Sequence, residues 1–146
     1  MPYFACSLML EPGSIIRPGN WGRIVRAIGP KHPEWQRETI LEQVRQAEFP
    51  ALPSRFQCAF VIDDLDELKY YASKASPLGL LYQVTLIDQG AAAHVADWKG
   101  TGPYDHTTEW ARRYWRGDVM PHPETNLKLR ERLTLSRLRV DAQVPQ

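Results

Sequence analysis

PSRFQCAFVIDDLDELKYYASKASPLGLLYQVTL, residues 53–86, reads as a strand, a capped helix and a second strand. Residues 56–62 are an apolar, aromatic and β-branched run of strand length. Residues 80–87 are another, with Tyr82, Val84 and Leu86 on one face. Between them Asp63 is placed to cap a helix, and Asp64 and Asp66 load its first turn with the negative charge a helix dipole favours. Leu68, Tyr71, Ala72 and Ala75 then recur at helical spacing.

Working back from this unit, residues 3–10 read as a first strand and residues 14–16 as a short extended piece after the turn Glu11-Pro12-Gly13. Residues 18–23 form a glycine-rich loop carrying Trp21 and Arg23, with Arg17 just before it; residues 24–28 fit a strand or a helical turn equally by period. Pro33 opens a helix running to about Glu48, with Ile40, Leu41, Val44 and Ala47 as its apolar face. Working forward, residues 89–103 read as loop, and residues 105–116 as a helix with Trp110, Ala111, Tyr114 and Trp115 in one stripe and Gly117 at its stop. Residues 129–135 and 138–140 alternate as strand, with a turn near Ser136-Arg137.

The chain has 146 residues and 43% hydrophobic content, enough to bury one core, so the expectation is a single α+β domain over residues 1–146 with about three helices. Net charge is +1 without a long run of one sign, which argues against a dedicated DNA-binding domain. No apolar run approaches a membrane span and no signal-peptide core is present, so a soluble cytoplasmic protein is expected, with no membrane partner. Cys6 and Cys58 read as buried reduced thiols. Twelve prolines, most of them in connections, imply short elements joined by stiff loops.

No Walker loop, G-x-G-x-x-G, H-E-x-x-H or G-x-S-x-G is present, which removes the common nucleotide hydrolases, dinucleotide-fold dehydrogenases, zincins and α/β-hydrolases. His94 and Asp97 read as solvated loop side chains, the other reading being a metal or acid/base pair; no metal site is expected. Arg112, Arg113 and Arg116 read as a solvated helix face. Two readings stand for residues 18–23: an anion-binding loop, with Arg17 and Arg23 on phosphates and Asn20 and Trp21 closing a pocket, or a tight turn with a core tryptophan. Ser54 and Arg55 sit at the mouth of the central strand. Glu131 is the carboxylate to single out: it reads as a surface partner in an alternating strand or, if it projects into a cleft, as a group that can hold a ribose hydroxyl and stabilise a cationic glycosyl transition state; Glu124 is the runner-up.

The order of these pieces resembles the ADP-ribosyltransferase superfamily. The resemblance rests on Glu11-Pro12-Gly13-Ser14-Ile15-Ile16, the Cys58-Ala59-Phe60-Val61-Ile62-Asp63 strand, the helix carrying Lys69-Tyr70-Tyr71-Ala72, the Leu81-Tyr82-Gln83-Val84 strand, Tyr114-Trp115-Arg116-Gly117 and the late Glu131-Arg132-Leu133 strand. Within it, the chain is similar to a small bacterial family marked by P-G-N-W-G-R and P-S-R. The resemblance implies a split, mixed β-sheet core. It also implies cleavage of the nicotinamide–ribose bond of NAD, used as a co-substrate without a metal, and transfer of ADP-ribose to a protein, nucleic acid or small-molecule acceptor. Glu131 would be the catalytic carboxylate, Phe60 and Tyr71 stacking faces for nicotinamide, and Ser54 and Arg55 their neighbours on the strand edge.

One position departs from the pattern. Ala5 stands on the first strand where the superfamily carries histidine or arginine, with Tyr3, Ser7, Arg17 and Arg23 as possible substitutes. That departure raises a second expectation, a nucleotide-binding or interaction module of the same fold without turnover. A third is NAD-dependent chemistry on RNA 2′-phosphates, which calls for a denser arginine cluster.

Overall fold

The computed structural model describes residues 1–75, 78–99 and 107–145. In chain order the elements are β1 (Tyr3–Cys6), β2 (Ile15–Ile16), α1 (Asn20–Ile28), α2 (Trp35–Glu48), β3 (Ala59–Val61), α3 (Leu65–Ala75), β4 (Leu80–Leu86), β5 (Ala93–Asp97), α4 (Thr108–Arg116), β6 (Arg130–Thr134) and β7 (Leu138–Gln143), with a 3-10 turn at Gly29–Lys31. They make one α+β domain with two antiparallel sheets, ordered β1-β4-β7-β2 and β3-β6-β5.

The sheets face each other through Ala59 and Val61 of β3, Tyr82 and Val84 of β4, and Leu138 and Val140 of β7, all buried. The other face of β3 and β6 carries Cys58 and Leu133 against α2 and α4, where Leu41, Val44, Trp110, Tyr114 and Trp115 close the main core. Strand alternation produces this division: Phe60 pairs with Leu133 and faces the helices, while Ala59 and Val61 face the opposite sheet. The α4 stripe is buried as its spacing predicts. Its start is capped by Thr107, whose hydroxyl accepts from the Trp110 amide at 3.2 Å.

Several expectations are corrected, each for a local reason. Asp64, not Asp63, caps α3: its carboxylate accepts from the amides of Asp66 (2.9 Å) and Glu67 (3.0 Å), while Asp63 pairs with Arg132. Residues 53–57 form a turn stitched by Ser54, so β3 is shorter than the apolar run. Residues 18–23 are not all loop, since α1 begins at Asn20 and continues through residues 24–28. Ala47 is exposed, and Glu38 takes the inward place on α2. Within residues 89–103 a strand, β5, forms on the free edge of β6, where ladder pairing overrides the weak strand preference of alanine. β6 and β7 are adjacent in the chain but belong to different sheets. The expected helix start at Asp105, the loop end at Pro103 and His106 lie outside the described residues. Among the described residues no helix is long and apolar enough to cross a membrane.

Candidate functional site

β1 and β3 are the facing edges of the two sheets. They meet once, where Tyr3 and Ile62 exchange backbone hydrogen bonds of 2.8 and 3.0 Å. One step further along, antiparallel alternation turns the N–H and C=O of Ala5 and of Phe60 toward each other's strand, yet no bond joins them. At the far end the Gly19 amide donates to the Cys58 carbonyl at 3.1 Å, so the glycine loop replaces β1 on the β3 edge. Between these two closures lies a cavity of about 1220 Å³.

The glycines serve the protein's own backbone. A Cβ on Gly22 would stand 1.9 Å from the Phe56 carbonyl oxygen, so α1 lies against the turn at Phe56 only because this residue has no side chain. That contact presents Trp21 to the cavity.

At the cavity floor lies a buried charged network. The Arg55 guanidinium, 5% exposed, donates through Nε to Glu38 Oε2 (2.8 Å) and through Nη2 to Glu38 Oε1 (2.9 Å). Its Nη1 donates to both Tyr114 Oη and Glu131 Oε1. Tyr114 donates its own hydroxyl hydrogen bond to Glu131 Oε1 at 2.8 Å. Glu38 Oε1 also accepts from Trp21 Nε1 (3.1 Å) and Arg37 Nη1 (3.2 Å). The Arg55 guanidinium lies 4.7 Å from the Phe60 ring centre, within cation–π range.

Burial alone would push the Arg55 guanidinium down, but the Glu131 and Glu38 carboxylates outweigh it and hold it well above its ordinary range. Burial pushes the Glu38 carboxyl up, and Arg55, Arg37 and Trp21 reverse this, leaving it below the ordinary value. Burial likewise raises the phenols of Tyr114, well above the ordinary range, and of Tyr71. Glu131 is 8% exposed and lines the cavity; among the described residues its Oε2 has no hydrogen-bond partner. The site is therefore a carboxylate oriented through one oxygen and uncommitted at the other.

Of the residues singled out from sequence, Arg17, Asn20, Trp21, Arg55, Phe60, Tyr71 and Glu131 line this one cavity. Two do not. Arg23 folds onto Asn20 Oδ1 (2.8 Å), and the Ser54 hydroxyl donates to Glu42 Oε2 (2.8 Å), one turn along α2 from Glu38. Arg55 reaches the cavity, but all three of its nitrogens are engaged by protein, which suits it to bracing and not to holding a phosphate. Glu124 is exposed and off the cavity. His94 and Asp97 are three residues apart on β5 and point to opposite faces, so they form no pair. His94 instead packs on Trp115, with ring centres 5.4 Å apart.

Glu38, Arg37 and Tyr114 are the members that sequence reading missed. Glu38 had a signal: it stands three and six residues before Leu41 and Val44, inside the inward stripe of α2. Tyr114 read as core, because nothing local says that its hydroxyl meets a carboxylate from a distant strand.

A family model described as Protein of unknown function (DUF2441) matches residues 15–140. The chain belongs to the DUF2441 family. Every member of the buried network lies within the DUF2441 match, whereas β1, which supplies one lip of the cavity, precedes it. No curated protein matches the chain.

Proposed function

We propose that this chain is an NAD-dependent ADP-ribosyltransferase, cleaving the nicotinamide–ribose bond of NAD and passing ADP-ribose to an acceptor nucleophile. The observation that carries the reading is Glu131, a carboxylate braced at one oxygen and free at the other inside a cavity between two parted strand edges. In the reaction the ribose C1′–N bond breaks, its electron pair goes to the nicotinamide nitrogen, and positive charge collects on the ribose ring. A pre-oriented carboxylate favours that charge more in the transition state than in the substrate. The acceptor atom then bonds to C1′ and releases its proton to solvent.

The remaining lining suits the rest of the molecule. Phe60, Tyr71 and Trp21 offer flat aromatic faces for nicotinamide or adenine. Arg17 and Arg37 present guanidinium groups for the diphosphate. The N–H and C=O of Ala5, unpaired among the described residues, form a donor and acceptor side by side, the complement of a carboxamide. Of the substitutes for the side chain absent at Ala5, Tyr3 and Arg17 line the cavity, whereas Ser7 and Arg23 do not.

Nicotinamide release from NAD, followed chromatographically, tests the reading. Glu131→Gln keeps the side-chain shape and is expected to lower the rate by about 10²–10³-fold while leaving NAD binding in place. A wild-type protein that neither releases nicotinamide nor labels a lysate from NAD sinks it. Ala5 favours a second reading, a nucleotide-binding module without turnover. Calorimetry showing ADP-ribose binding with no nicotinamide release would select that one.

A further inference from the structure

Resting on this reading of Glu131, we propose that Glu38 is a positioning residue that keeps Glu131 Oε2 free by occupying the fork of Arg55. An arginine beside a carboxylate in a dry environment ordinarily presents two parallel N–H groups, one to each oxygen. Here that fork, Nε and Nη2, goes to Glu38 at 2.8 and 2.9 Å, and only Nη1 is left for Glu131. Nη1 and the Tyr114 hydroxyl both land on Oε1, so the second oxygen of Glu131 stays uncommitted.

Charge points the same way. Glu38 is fully buried and shares Arg55 with Glu131, so the guanidinium does not discharge Glu131 alone. Arg37, also bonded to Glu38, makes up the balance of two cations and two carboxylates. Glu38 further holds the Trp21 indole N–H, so the aromatic wall and the braced carboxylate hang on one side chain. Glu38 itself does not line the cavity, which separates its role from contact with substrate.

Without the Glu38 charge, the fork of Arg55 turns to Glu131 and occupies both oxygens. Glu38→Gln is therefore expected to lower kcat for nicotinamide release at least tenfold with KM for NAD changed less than threefold. Adding Arg55→Met to Glu38→Gln removes the fork with its counter-charge and is expected to recover at least threefold of the lost rate. A residue that only stabilises the fold predicts the reverse, a double variant worse than the single. A Glu38→Gln protein with unaltered kcat, or a double variant with no recovery, overturns the inference while leaving the proposed reaction standing.

The structural readout needs no turnover: a crystal structure of Glu38→Gln is expected to show Arg55 bonded to both Glu131 oxygens. Oε2 still free there overturns the inference even if wild type proves inactive toward NAD. Should that variant be recovered unfolded, Glu38→Asp takes its place. Its shorter carboxylate loses one arm of the fork, and the same migration of Arg55 toward Oε2 is expected, its absence counting against the proposal.

Discussion

Two buried groups line the cavity from β6 and from the segment entering β3, Glu131 and Cys58. Glu131 accepts hydrogen bonds from Arg55 and Tyr114 at Oε1, which fixes the orientation of its carboxylate. Cys58, 1% exposed, has its thiol pushed by burial up to about 12, which leaves almost no thiolate near neutral pH. Cys6 is only half-buried and donates weakly to the Leu8 carbonyl, 3.6 Å away. Labelling with a thiol reagent at pH 8 is expected to modify Cys6 alone in the native protein and both thiols after unfolding. Rapid native labelling at Cys58 would contradict the burial that shapes the cavity floor. The residue scale also shows where local reading stops. Leu129, Glu131 and Leu133 share one parity on the chain, a pattern that left Glu131 open between the surface and a cleft until its burial decided for the second. What it faces was not legible there, because Arg55 arrives from 76 positions away.

Among the elements, α1 depends most on a single atom being absent. Its N-terminal turn is docked by Gly19 on Cys58 and by Gly22 on Phe56, and at Gly22 the contact leaves no room for a methyl group. Gly22→Ala is expected to cost at least about 2 kcal/mol, since the obstructing atoms are backbone and cannot rotate away. Urea denaturation checks the stability, and quenching of tryptophan fluorescence by acrylamide checks Trp21, which is expected to become more accessible. A variant as stable as wild type would mean that the helix can shift without consequence. The glycine loop was conspicuous in the sequence, yet an anion site and a tight turn draw on the same residue types, so composition left both readings open. The third reading, backbone packed against backbone, needs a partner strand in place. β5 went unread for a related reason: Ala93 and Ala96 carry little strand preference of their own, and the open edge of β6 supplies the pairing.

For the whole molecule, charge holds the helical layer to the sheet layer. Burial pushes both Glu38 and Glu42 up, and their partners on the 53–57 turn and on α2 reverse this, holding each below its ordinary value of 4.5. A carboxyl depressed in the folded state adds stability that is complete above its unfolded value and is lost as pH falls through the folded one. The urea midpoint is therefore expected to hold from pH 7 to about 5 and to fall below 4.5. Glu38→Gln is expected to start lower at pH 7 and to close on wild type as the solution is acidified. A gap that widens toward acid would show that other carboxylates dominate. The local pattern of the chain by itself determined α2, α3, α4 and the strands at β1, β4, β6 and β7, because apolar period and caps act over a few residues. Most of the site candidates it marked line the cavity. Only the tertiary structure decided that β6 and β7 part into different sheets, that β1 and β3 meet at one bridge and then separate, and that Arg55 braces Glu131 instead of facing a ligand alone. Those are relations between distant segments, and such relations exist only once burial has forced the charges of Glu38, Arg55 and Glu131 to find each other.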